Sequence, residues 1–269
     1  MPASIHRRMV VNRLTDPAEN RHAIEPENPA MRNVAAMTTM LLVVLVVSGA
    51  LIAGAAWGIY GKLHERTEGF LVALAGGALL VSVVSELIEP SIERSSVWTA
   101  LAGVAAGAVL FSVADYWIDE KWGPKSGGGL LAAITLDGIP ENLALGVALI
   151  AAGPTEVAAL AGSILLSNLP EAAGGARQMA DGGQSKSKIF ALWAATAALL
   201  SLAAIAGNLL LEGASEHLLA FIRCLAAGAV VASLATEVFP QAFKEDRHWA
   251  GIATALGVIL AFLLGNLGG

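Results

Sequence analysis

Two stretches of this sequence carry the residue types that bind cations. One reads Ile134-Thr135-Leu136-Asp137-Gly138-Ile139-Pro140-Glu141-Asn142, the other Ile164-Leu165-Leu166-Ser167-Asn168-Leu169-Pro170-Glu171-Ala172. They are variants of one motif, a polar pair followed by an apolar residue, then Pro and Glu. Asp137 and Glu141 are four residues apart, as are Ser167 and Glu171, and that spacing puts each pair on one face of a helix. Proline has no backbone N–H and its ring crowds the preceding turn, so Pro140 and Pro170 should kink their helices and free the carbonyls of Leu136 and Leu166. Asp137, Glu141, Ser167, Asn168 and Glu171 are therefore candidate metal ligands. They offer oxygen donors, a set that suits Mg, Mn or Ca, while zinc accepts carboxylates but usually adds nitrogen or sulfur.

The surroundings of these motifs sharpen the problem. Of 269 residues, 56 % are hydrophobic and 14 % charged, and the mean hydropathy is +0.67; a soluble domain carries about a quarter charged residues. Apolar stretches long enough to cross a bilayer as helices cover residues 34–60, 69–89, 98–118, 129–152, 156–178, 188–211, 217–240 and 248–268. The expected fold is an all-α integral membrane protein of eight transmembrane helices. Gly and Ala are frequent within the spans, which allows close helix approach. Residues 1–33 form a polar, proline-containing tail ahead of a membrane domain over 34–269, and Arg7-Arg8 lacks the apolar core of a secretory signal. The single Cys224 and a net charge of -6 exclude an internal disulfide and disfavour nucleic acid as a partner.

The motifs lie near the middle of spans four and five. A carboxylate at the bilayer centre costs roughly 2.5 to 3.5 kcal/mol, so Asp137, Glu141 and Glu171 need protonation or a bound cation to offset their charge. A lone carboxylate beside a proline kink is often only structural. Two matching motifs at one depth, with acids on both, favour a cation site.

Lys and Arg distribute unevenly among the connections. Those after spans one, three, five and seven hold Lys62, Arg66, Lys121, Lys125, Arg177, Lys186, Lys188, Lys244 and Arg247, against Arg94 and Arg223 in the others. The positive-inside rule makes the former cytoplasmic and places both termini outside the cell membrane, although the tail carries five arginines of its own.

An internal repeat runs through the chain. Gly77-Ala78-Leu79-Leu80-Val81-Ser82-Val83-Val84-Ser85-Glu86 matches Gly228-Ala229-Val230-Val231-Ala232-Ser233-Leu234-Ala235-Thr236-Glu237 at an offset of 151 residues, which also carries Trp98 onto Trp249. Five spans separate the copies, so they run in opposite directions, as in many secondary transporters. Glu86 and Glu237 occupy equivalent repeat positions near span ends, where they either guide ions at a vestibule or sit in interfacial water, the second being the preferred reading. Asp115, Asp119 and Glu120, among Tyr116, Trp117 and Trp122, read as solvated charge in an aromatic belt.

At the two motifs the chain resembles the ZIP family of divalent metal transporters, whose fourth and fifth helices carry His-Asn-x-Pro-Glu-Gly and His-Glu-x-Pro-Glu-Gly-like sequences. The resemblance implies a 3+2+3 arrangement, with an inverted repeat of helices 1–3 and 6–8 around proline-kinked helices 4 and 5, and a metal site between those two. The family's fourth-helix ligands fall on Asp137, Gly138 and Glu141, with Asn142 in place of glycine, and its fifth-helix ligands on Ser167, Asn168 and Glu171. Both motif histidines are absent. Span six has no interior acid, leaving Asn208 as its strongest polar candidate, and none of His6, His22, His64, His217 and His248 lies at mid-span.

The expected function is transport of a divalent metal toward the cytoplasm by alternating access, with Zn2+ first and Mn2+ or Fe2+ next. The metal is substrate; no prosthetic group and no catalytic residue is expected, and intramembrane hydrolysis is disfavoured because no Ser–His pair lies at membrane depth. Partners are the lipid bilayer and the metal, with a homodimer compatible. Two other readings stay open, a carrier whose acids titrate with protons and a non-transporting sensor or structural protein.

Overall fold

The computed structural model describes residues 29–122, 127–151 and 157–266. Most of the expected tail, residues 1–28, and Lys125 lie outside them. All elements among the described residues are helical: α1 (Pro29–Tyr60), α2 (Glu65–Arg94), α3 (Val97–Trp122), α4 (Gly127–Ala151), α5 (Ala158–Asp181), α6 (Lys186–Leu211), α7 (Glu216–Glu245) and α8 (Ala250–Gly265). The start of α1, up to Thr38, forms one unit, and the chain from Thr39 onward forms another that holds everything discussed below. Helix α1 begins at Pro29, inside the last residues of the expected tail.

Five helices, α1, α2, α3, α6 and α7, are long and apolar enough to cross a membrane, whereas α8 is apolar but shorter. Large apolar side chains such as Leu110 and Val113 on α3 and Ile259 and Leu263 on α8 point outward. This is compatible with a multipass membrane protein, because lipid accepts such surfaces and water does not. Trp98, Trp249, Tyr116 and Trp117 are exposed near helix ends, as interface anchors would be.

Small residues decide which helices touch. Helix α2 packs closely on α8, α3 on α7, and α4 on α6. A methyl group on Gly77 would overlap the Thr254 carbonyl, and one on Gly257 the Leu74 carbonyl; Gly107 faces Leu225 and Gly228 faces Val104 in the same manner. Likewise Gly58 lies on Ala173 of α5 and Gly146 on Ala204 of α6. Backbone meets backbone at each crossing, which is how helices associate where hydrophobic burial gives little drive.

Helix ends follow ordinary capping chemistry. Ser185 and Ser215 accept the amides of Lys188 and Leu218 at the starts of α6 and α7, replacing orphan N–H bonds. Beyond α5, Gly183 has φ 80°, and its amide and that of Gln184 bond back to Ala180 and Met179 at 3.0 and 3.1 Å. This is the Schellman pattern, which needs the left-handed conformation glycine tolerates.

Neither Pro140 nor Pro170 ends its helix; α4 and α5 run on through them. The interruptions fall instead in α2 and α7, where Val84–Ile88 and Leu234–Val238 are π-helical turns. The amide of Glu89 reaches back to Val84 and that of Phe239 to Leu234, five residues instead of four. Pro90 and Pro240 follow and have no N–H for the carbonyls of Glu86 and Thr236, so each helix widens by one residue before resuming.

Candidate functional site between α4, α5 and α7

Glu141, Ser167 and Asn168 are buried, with 7 %, 1 % and 2 % of their surface exposed, while Asp137 and Glu171 are partly accessible. The motif spacing works as expected within each helix. On α5 the Ser167 hydroxyl donates to Glu171 Oε1 one turn away, which fixes that carboxylate's rotamer. Asp137 and Glu141 lie one turn apart on α4, and Glu171 of α5 is within electrostatic reach of both. The three acids thus share one region of the bundle.

A cavity of about 410 Å3 reaches two of them. Asp137 and Glu171 lie on its wall, together with Glu237 of α7 and Gly174 and Gly175 of α5, whereas Glu141 does not. Its other end is lined by Glu65 and Glu68 from the start of α2, Gln178 and Asp181 from the end of α5, and Lys244 and Glu245 from the end of α7. At that mouth Arg177 pairs with the buried Glu68 at 2.9 Å and donates to the Leu63 carbonyl at 2.7 Å. Gly174 leaves room for the Glu68 carboxylate, which a methyl at that position would strike.

The remaining candidates are engaged in tethering. Asn168 donates its amide to the Val47 carbonyl of α1 at 3.1 Å, which ties α5 to α1 beside the motif. Asn142, where the family pattern has glycine, donates to Gly138 O one turn back at 2.9 Å. Asn208, the polar residue of span six, donates to Gly146 O of α4 at 3.0 Å and therefore braces α4. Among the described residues no three His, Cys, Asp or Glu side chains gather closely enough to hold a metal ion. In this conformation the acids are neighbours and not a closed coordination sphere.

No family model matches this sequence, and no curated protein is similar to it at a significant level. The chemistry of the site rests on its own residues.

Glu237 is the residue that sequence reasoning placed in interfacial water. The structure puts it on the cavity wall with Asp137, within electrostatic reach of Asp137 and of Asp115 of α3. The solvated-belt reading of Asp115 changes with it, since Asp115 is partly buried. Glu237 lies in the π turn Leu234–Val238, whose extra residue changes the facing of the side chains it carries relative to a regular helix. A signal was present: Pro240 stands three residues after Glu237, and Pro90 four after Glu86.

Asp137 Oδ1 and Glu237 Oε1 are buried without a hydrogen-bond partner. A buried acceptor left unpaired is costly, and a cation is the species that satisfies carboxylate oxygens without a donor hydrogen. The carboxylates on this wall offer oxygen donors, which fit hard divalent ions best.

Proposed function

We propose that this chain is a multipass cell-membrane transporter that moves a divalent metal cation toward the cytoplasm, by alternating exposure of a site between α4 and α5. The observation that carries the reading is the meeting of Asp137, Glu141 and Glu171 from two sequence-related helices, with unpartnered Asp137 and Glu237 oxygens on a cavity wall. Asp137, Glu141 and Glu171 hold the ion, Ser167 and Asn168 support them, and Glu237 receives it on the cavity side. The resemblance to the ZIP family puts Zn2+ first with Mn2+ and Fe2+ next, and of these the oxygen donors suit Mn2+ best.

The reading includes a 3+2+3 architecture with an inverted repeat. It is supported by paired crossings: Gly77 of α2 meets the backbone of α8 as its repeat partner Gly228 of α7 meets that of α3. The π turns of α2 and α7 fall within the same repeat. By the loop charges, the cavity mouth is cytoplasmic and both termini are outside.

A second reading draws on the nearness of Asp137 and Glu237 on one cavity wall, since buried carboxylates side by side favour keeping a proton between them. In that reading the acids carry protons coupled to another solute. Calorimetric titration of the purified protein with Zn2+, Mn2+ and Fe2+ separates the two. Saturable binding lost in Glu141→Gln and Glu171→Gln, with helical content retained, is expected for a metal site; no binding in the parent protein would reject it.

A further inference from the structure

Helix α4 ends and α5 begins at the end of the bundle opposite the cavity mouth, which is built from the other end of α5. The start of α5 lacks a side-chain cap: Val157, which precedes it, supplies no acceptor. Charged residues from other helices hold α5 and α4 here. Glu86, in the π turn of α2, accepts the amide of Leu160 in the first turn of α5 at 3.0 Å. Arg223 of α7, only 3 % exposed, donates to the Val147 carbonyl near the end of α4 at 3.1 Å.

The signs match the ends. A helix start carries positive partial charge and a helix finish negative, so an acid holds α5 and a base holds α4. Ser82 of α2 and Ser163 of α5 lie 2.9 Å apart in the same contact. Both grips are incomplete, because Glu86 Oε2 and Arg223 Nε are buried with no partner. Each long side chain therefore holds its helix by one bond while other polar atoms stay unpaired, an arrangement that is firm yet replaceable. Glu216 and Arg94 are the charged groups near Arg223.

We propose that Glu86 and Arg223 are positioning residues that clamp the α4–α5 end shut, and that this clamp must open for a cation to reach the site from that side. The consequence for transport rests on the proposed function; the clamp itself can be tested with no cation present. Ser163→Cys in a Cys224→Ser background places a thiol beneath the clamp, and a membrane-impermeant maleimide applied to the α4–α5 face of reconstituted vesicles reads its exposure.

Slow labelling is expected with the clamp intact. Adding Glu86→Ala or Arg223→Met should speed it about tenfold or more, because each removes a charge-assisted hydrogen bond, while Arg223→Lys should stay near the slow rate. Rates unchanged by both disruptive variants would overturn the proposal. Hydrogen exchange on the unmodified chain covers the case of misfolded variants: the Leu160 amide should be strongly protected, and exchange as fast as at a free helix start would overturn the clamp equally. Loss of metal binding in Glu171→Gln is read separately, so failure of the transport reading leaves this result interpretable.

Discussion

The two π turns are the same device put to different uses. Each lies in a helix of the repeated segment, carries a glutamate and precedes a proline. Glu86, third in its turn, reaches a backbone amide of α5 and holds it. Glu237, fourth in its turn, lines the cavity together with Asp137. One residue of difference between glutamate and proline separates a carboxylate that closes the bundle from one that lines its opening. In the transport reading, the α4–α5 end is shut and the opposite end is open, which is one half of an alternating-access cycle.

The strongest way to break that comparison lies where both ends meet, at the motif acids. Glu171→Gln should weaken divalent-metal binding by about a hundredfold or more, beyond the 10 to 100-fold typical of residues that only support ligands; calorimetry checks it. Next in size is Glu237→Gln, expected to weaken binding about tenfold as a wall residue would. If Glu86→Gln weakened equilibrium binding as much, the two glutamates would not differ in role. Asp137→His should shift preference toward zinc, since imidazole nitrogen suits that ion, and an unchanged metal profile would remove Asp137 from the ligand set.

Smaller effects test whether the halves are equivalent in packing. Gly77→Ala and Gly228→Ala each press a methyl onto backbone of the opposite half. Both should destabilise the fold by about 1 to 3 kcal/mol, the usual range for overpacking, and thermal unfolding in detergent should give the two similar losses. A large loss in one alone would count against a shared origin of the crossings. Ser82→Ala, which deletes the Ser82–Ser163 bond, should cost only ~0.6 kcal/mol, a typical value for a hydrogen bond between helices in membranes.

Much of this was legible in the sequence. Hydropathy located all eight helices to within about five residues at each end, because a bilayer demands long apolar runs and their length is hard to disguise. The twin motifs marked α4 and α5, and their side-chain spacing placed Ser167 on Glu171. What stayed hidden depends on partners from other helices. The use of Asn168 as a tether to Val47 and of Asn208 to brace Gly146 needs the helix neighbours, which periodicity does not supply. Helices α4 and α5 run on through Pro140 and Pro170, while Pro90 and Pro240 sit beside the widened turns that carry Glu86 and Glu237. A proline states that a bond is missing; the packing around it decides whether the helix runs on or widens.

Metal uptake into vesicles reconstituted with the full chain tests the central claim most directly. With Zn2+, Mn2+ and Fe2+ offered in turn, the unmodified protein should carry at least one ion above protein-free vesicles, and Glu141→Gln and Glu171→Gln should reduce that flux to background while remaining folded. Uptake in these variants equal to that of the unmodified protein, or no uptake of any divalent ion by the unmodified protein, would contradict it.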